Sequence, residues 1–456
     1  MILNKMFGYY KYIFTTKQII RSVIIFAVLC SILLTIACNN TETKTNTTNP
    51  VTDSSSTKSS TDIDKALSTD IDKALSADID KALIENNFEH VITLSETAAS
   101  FDITAGQSNE IYAALKEEYD LFVLHSTDGG LSFDSPIKSN NNALITGLIS
   151  DRPAIAASDN GSVAVTWTSG KDFARIWYSL SQDYGKTFDR SFVLSYRDPK
   201  PLTGFSEISF DNNKNPVASW VQEGGIRVSQ SFDGGETFSI ESGVDSEVSA
   251  CTKSSIASAE NDHILVAYRD RELLDNKPIR PIKLGVSTDF GQVFGTRQFV
   301  SNNHWDIETC PNSFPSIQSY KDNVYITWMD GGVQDNPSLT NIWFAKATLN
   351  SQYFSNIQLN QITLQHSRPS ITVSSNGDLH IIWASRESDK AVIKYVSSKD
   401  GITFSNPTNI VSSNDGSNRR TPSHPTIISD KADNIYVAWS DALGTHIGQL
   451  KKQVTP

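Results

Sequence analysis

The chain has 456 residues, 20% of them charged and 38% hydrophobic, and a formal net charge of −12. An acidic balance of this size disfavours nucleic acid as a partner, because binding phosphates needs clustered positive charge. It favours solubility, and any anionic ligand needs a local basic pocket to overcome the global field.

Lys5, Lys11, Lys17 and Arg21 precede an uncharged apolar run from Ser22 to Ala37, which is short for a bilayer span. The run ends in Thr35-Ile36-Ala37-Cys38. A small residue directly before a cysteine resembles the lipobox of bacterial lipoproteins, although Thr35 stands where that pattern prefers Leu. The resemblance implies a signal peptide over 1–37 and lipidation of Cys38. It also implies an exported, lipid-anchored protein facing the periplasm or the cell exterior. The alternative is an uncleaved anchor helix. Removing the leader, whose four basic residues have no acidic counterpart, takes the charge from −12 to −16.

From Asn39 to about Ser59 the chain is Asn, Thr and Ser with almost nothing apolar, the composition of a disordered tether. Ser60-Thr61-Asp62-Ile63-Asp64-Lys65-Ala66-Leu67 then recurs almost verbatim at Ser68 to Leu75 and Ser76 to Leu83. A period of eight fits neither heptad nor strand. Residues 38–87 therefore read as a low-complexity spacer, and 88–456 as the folded part.

Within 88–456 a strand of alternating apolar residues recurs: Ile111 to Leu115, Val163 to Trp167, Val217 to Trp220, Ile264 to Tyr268, Val324 to Trp328, Leu379 to Trp383 and Ile435 to Trp439. Each follows a turn rich in Asp, Asn, Gly and Lys. Before that turn lies another short strand, often opened by Pro-x-Ile, as at Pro153, Pro315, Pro369 and Pro425. A second motif closes the unit. Ser126-Asp128-Gly130-Phe133, Ser181-Asp183-Gly185-Phe188, Ser231-Asp233-Gly235-Phe238 and Ser287-Asp289-Gly291-Phe294 are complete copies, and Ser398-Asp400-Gly401-Phe404 is one residue short. The stretch from Ala347 to Phe354 keeps only the spacing and the Phe. The motif reads as a hairpin turn in which Asp accepts from backbone N–H groups, Gly allows positive φ and Phe plugs between sheets. One unit is thus strand, polar turn, strand, loop, strand, Ser-Asp-Gly-Phe turn, strand.

These turns resemble the Asp-box (bacterial neuraminidase) repeat of sialidase-like β-propellers. The expected fold is all-β: a propeller of four-stranded antiparallel blades. Seven blades are expected, with six as the alternative. The last unit lacks its fourth strand, and Phe88 to Ser95 looks like the strand that follows such a turn elsewhere. It is therefore expected to close the ring.

Cys251 and Cys310 are the cysteines of the folded part, and each precedes the first strand of its blade. They read as a disulfide in an oxidising compartment, or else as two buried thiols. No CxxC or paired His suggests zinc, and neither metal nor cofactor is expected.

Polar residues gather where each blade's first strand begins and where its second ends. They include Asp151 and Arg152, Glu207, Arg269, Asp270 and Arg271, Glu308, Asp330, Arg368, Arg386 and Glu387, His424 and Asp441. Arginine pairs bidentately with carboxylates, so such a mouth suits a carboxylate-bearing or sugar ligand. The bland alternative is salt-bridging that fills a polar funnel. The sialidase resemblance implies three arginines gripping a carboxylate, a Tyr–Glu nucleophile pair and an Asp acid/base. Arg152, Arg368 and one of Arg269 or Arg271 are the available arginines. Arg152-Pro153 and Arg368-Pro369 lack, however, the residue that separates Arg from Pro in the familiar segment, and a one-residue shift in a strand reverses the side chain. Tyr268 belongs to the aromatic row, and no Tyr–Glu pair can be named.

Two functions stand: a surface propeller that binds a glycan or protein, and an exo-acting glycoside hydrolase of sialidase type. A periplasmic assembly factor is a further alternative. The chain is expected to be monomeric.

Overall fold

The computed structural model describes residues 82–98, 100–146, 151–170, 174–188, 190–195, 203–248, 252–295, 297–302, 305, 313–331, 339–360, 365–387, 390–413 and 423–452. Cys38, most of the octapeptide repeats, Cys251, Glu308 and Cys310 lie outside them. A helical turn over 82–87 leads into the first strand, with Ile84 packed against the adjoining core.

Seven four-stranded antiparallel sheets follow. Blade 1 is β2 (Ser100–Ala105), β3 (Ile111–Glu117), β4 (Asp120–Ser126) and β5 (Ile137–Lys138). Blade 2 is β6 (Ala154–Ala157) to β9 (Ser191–Val193), and blade 3 is β10 (Gly204–Phe210) to β13 (Ser242–Asp245). Blade 4 is β14 (Ser255–Ala259), β15 (His263–Arg269), β18 (Ile282–Ser287) and β19 (Gln298–Phe299). Between its middle strands sits an added hairpin, β16 (Glu272–Leu274) and β17 (Lys277–Ile279). Its turn at Asp275-Asn276 takes two positive φ angles, 51° and 63°, as the tightest hairpins require. Blade 5 is β20 (Ser316–Tyr320) to β23 (Ser355–Gln358), and blade 6 is β24 (Gln365–Val373) to β27 (Thr408–Ser413). Blade 7 joins β28 (Ser423–Ser429), β29 (Ile435–Asp441) and β30 (Gly444–Leu450) to β1 (Phe88–Ser95), with Phe88 opposite Leu450. The first strands of successive blades adjoin one another around an axis, and β28 returns to β2. The ring has seven blades, closed by the N-terminal strand.

The packing follows from the repeat. An apolar core lies between each pair of neighbouring blades. No blade buries its face alone. The aromatic row of the second strands supplies the bulk: Trp167, Trp220, Tyr268, Trp328, Trp383 and Trp439 are buried. Truncating one to Ala typically costs about 3–5 kcal/mol.

The Ser-Asp-Gly-Phe turns close each blade as their chemistry predicts. Ser231 Oγ donates to Asp233 Oδ1 at 2.8 Å and accepts from the Gly235 N–H at 2.8 Å, while Asp233 Oδ1 accepts from the Thr237 N–H at 2.9 Å. The same bonds recur at Asp128, Asp183 and Asp289, and Asp400 accepts from Ile402 and Thr403. Gly235 has φ +101°, and a Cβ there would collide with the Tyr178 hydroxyl. Phe188 fills the core between blades 1 and 2, and the Phe404 ring meets Phe344 at 4.9 Å. These turns share one face, the lower one, with the turns that join first and second strands.

Candidate functional site

The seven innermost strands descend from the upper face and line an axial cavity of about 450 Å³. Their opening residues follow one scheme, in which the side chain directly before the strand's Ile faces the mouth of the next blade's strand. Its oxygen accepts that strand's backbone N–H. Ile155 donates to Asp102 Oδ2 (3.1 Å), Ile317 to Ser255 Oγ (3.3 Å), Ile371 to Ser316 Oγ (3.3 Å) and Ile427 to Ser370 Oγ (3.2 Å). One hydroxyl satisfies this stitch. The structural bond therefore accounts for an oxygen at 102 but not for a carboxylate.

Three of the strands are bulged at the mouth. Pairing slips between Gly204 and Glu207, between Ser367 and Ser370, and between Ser423 and Thr426. Inside each slip lies one non-glycine residue in the left-handed region: Phe205 (57°), Arg368 (54°) and His424 (55°). Such residues cost free energy and persist only where neighbours hold them. For Phe205 and Arg368 the holder comes from the preceding blade. Asp151 Oδ1 accepts from the Phe205 N–H at 2.7 Å, and Ser313 Oγ accepts from the Arg368 N–H at 2.9 Å. A bulge re-aims a side chain. It lets Arg368 line the cavity although Pro369 follows it directly.

The charges are unequal around the ring. Arg152 donates from Nη1 to the Phe101 carbonyl (3.3 Å) and to Thr426 Oγ1 (3.4 Å), with its guanidinium 6.0 Å from the Phe101 ring centre. Burial, and then the neighbouring Arg152 charge, push Arg368 down to about 10. Among the described residues, neither guanidinium forms an ion pair with a carboxylate. Lys253 is buried and paired with Glu207. His424 is held far below the usual imidazole range, by burial first and then by Arg152, Arg368 and Lys253, so it stays neutral. Asp102 is pushed up to about 6 by burial and the Glu207 charge, against the pull of Arg152 and Lys253. Blades 6, 7 and 2 thus present two arginines and a neutral imidazole. On the other side Phe314 lines the cavity, and Phe205 packs on it with ring centres 5.8 Å apart.

The remaining sequence candidates lie elsewhere. Arg269 is a buried strut: it donates to the carbonyls of Arg280 (2.9 Å) and Met329, stacks 5.2 Å over Trp305 and has Asp330 beside it. Asp270 pairs with Lys283 at 2.8 Å, and Arg271 is exposed away from the cavity lining. Asp151 is buried as the holder of Phe205, not in the cavity wall. The structure therefore brings together Arg152, Arg368 and Glu207, and does not bring Arg269, Arg271, Asp270 or Asp330 to them. Tyr268 donates to Asp245 Oδ2 at 2.7 Å inside a core, and no tyrosine is among the described cavity residues. Sequence reading missed Asp102, Lys253 and Phe314. The first two open strands that lack Pro-x-Ile; the usable signal at Asp102 was a charge where most sister blades carry Ser, Ala or Thr, and Lys253 falls in the same row as Arg152, Arg368 and His424.

No protein-family model matches the chain, and no curated protein resembles it in sequence. Solved structures do. A polysaccharide lyase of family PL25, an ulvan lyase bound to -[GlcA(1-4)Rha3S]-, superposes with a TM-score of 0.51 at 10% identity over 80% of this chain and 98% of that one. The polysaccharide lyase Uly1 gives 0.48 at 9% identity over 80% and 99%. The NanB sialidase from Streptococcus pneumoniae gives 0.46 at 9% identity over 71% and 70%. The likeness is one of fold. The structural neighbours are sialidase and polysaccharide lyase β-propellers.

Proposed function

We propose that this chain is an exported, lipid-anchored Asp-box propeller that binds an acidic glycan in the funnel at its upper face. The observation that carries the reading is the pair Arg152 and Arg368. Two guanidiniums without carboxylate partners among the described residues face one cavity, and one of them is held there by a strained bulge that the repeat does not require. A carboxylate or sulfate supplies the missing counter-charge, and the Phe314 side offers an apolar surface to a sugar ring. The test is calorimetric titration of the full chain with acidic oligosaccharides and their neutral counterparts. Hydrogen bonds to charged groups contribute about 1.5–3 kcal/mol, so Arg152→Ala or Arg368→Ala should each weaken acidic-glycan binding roughly tenfold or more. Equal binding of neutral and acidic sugars would remove the proposal.

A second reading, a glycan-cleaving enzyme, is favoured by one observation. Asp102, with its carboxyl near 6, shares the cavity with Glu207 and a neutral His424, which places a proton donor beside potential acceptors. Release of reducing ends from acidic polysaccharides, lost in Asp102→Asn, would support it. Binding without turnover would leave the first reading.

A further inference from the structure

The lower face carries a feature that the funnel does not explain. Six of the seven blades turn between third and fourth strands on this face, and each turn exposes at least one large apolar side chain: Leu131, Tyr184, Phe232 (with Ile240 further along the same connection), Val293, Tyr353 and Ile402. Tyr353 is 85% exposed and Ile402 70%. The turn motif does not impose this. Leu131 is the fifth residue after its motif Ser, where sister turns have Lys186, Glu236 and Gln292; Tyr184 is the third and Phe232 the first. The apolar side chain thus sits at different places in different turns, yet no turn lacks one.

The seventh position is filled by the chain's own arrival. Blade 7 has no such turn; there Leu450 ends β30 and Phe88 begins β1, side by side. Lys451 N–H donates to the Asn87 carbonyl at 2.9 Å, and His90 Nε2 lies 3.2 Å from the Gly129 carbonyl of the adjoining turn. Everything N-terminal to the propeller, including the Ser22 to Ala37 apolar run and Cys38, therefore attaches on the face that carries the six apolar tips. A membrane attachment upstream, acting through the 38–87 spacer, tethers the propeller from this face and leaves the funnel on the far side of the attachment point.

We infer that the lower rim is a membrane-contact surface, whose apolar tips enter the interfacial zone of a zwitterionic bilayer and leave the funnel facing away. The acidic turns argue for apolar insertion over attraction to anionic lipid. The inference rests on the lipid-anchored reading proposed above and not on what the funnel binds.

The test uses the full chain reconstituted in phosphatidylcholine vesicles that contain brominated lipid as a quencher. Tyr353→Trp adds a fluorophore on the lower rim, and Leu443→Trp adds one on the exposed upper turn of blade 7. The expected result is loss of most of the added emission for Tyr353→Trp and none for Leu443→Trp. Adding Phe232→Ser and Ile402→Ser should restore the Tyr353→Trp emission. Unquenched Tyr353→Trp emission, equal quenching at both sites, or failure of the chain to associate with vesicles would overturn the inference. So would a lipid-independent, concentration-dependent blue shift, which would assign the rim to a second copy of the chain.

Discussion

Arg368 owes its place to its backbone as much as to its side chain. A non-glycine residue in the left-handed region costs roughly 1–2 kcal/mol, and here the N–H bond to Ser313 holds it. Arg368→Gly should therefore leave stability within about 1 kcal/mol of the wild type while removing acidic-glycan binding. Denaturant unfolding beside calorimetry separates the two effects, and parallel loss of both would make Arg368 a scaffold residue. Asp102 gives a pH prediction. Its carboxyl is raised to about 6 in the folded chain, so it becomes neutral as pH falls through that value and removes negative charge beside Arg152. Acidic-ligand affinity should rise from pH 7 to pH 5, and Asp102→Asn should flatten that rise. The linked effect on folding has the opposite slope to a salt-bridged acid. Ionisation is easier unfolded, so this group's contribution to stability declines as pH climbs from about 4 past 6.

Among the elements, the lower-face turns were the most legible. The side-chain bonds of the motif Ser and Asp reach no further than four residues, so Ser, Asp, Gly and Phe at fixed offsets state the geometry outright. Hydrogen bonding by the Ser132 hydroxyl and N–H holds Asp128 down to about 2, and the Thr237 hydroxyl and N–H hold Asp233 below the usual carboxylate range. Carboxylates with depressed values add stability that is present above about pH 4 and lost as pH falls toward the folded value. Asp233→Ala, whose turn bonds are exposed to water, should cost about 0.5–1.5 kcal/mol near neutrality without altering ligand affinity, and the gap should narrow in acid. Thermal melts of both proteins across pH 2–7 check this. The bulged mouths were not legible. Phe205 is held by Asp151, from another blade and far off in sequence. Strict alternation was applied alike to Arg152-Pro153 and Arg368-Pro369, and it gave no sign of the bulge that sets Arg368 free of it.

At the scale of the whole molecule, the count of seven came from the aromatic strands, because one blade keeps only the spacing of its closing turn. The missing fourth strand of the last blade pointed to Phe88–Ser95, and that strand does pair with β30. Phe88 is buried in the core between blades 6 and 7, so Phe88→Ala should cost about 3–5 kcal/mol. Removing 82–95 should do more than destabilise: β30 would become an open edge, and light scattering should report concentration-dependent association.

The pairing of β1 with β30 also sets an order of events in time. The first strand of the folded region to be synthesised is completed by the last. Until the final residues have emerged, β1 has no partner and blade 7 does not exist. Six blades can collapse on their neighbours as they appear, but the circle stays open at one gap. If the chain is exported through a narrow channel, it travels before that gap can seal, and the sealed propeller forms only on the far side.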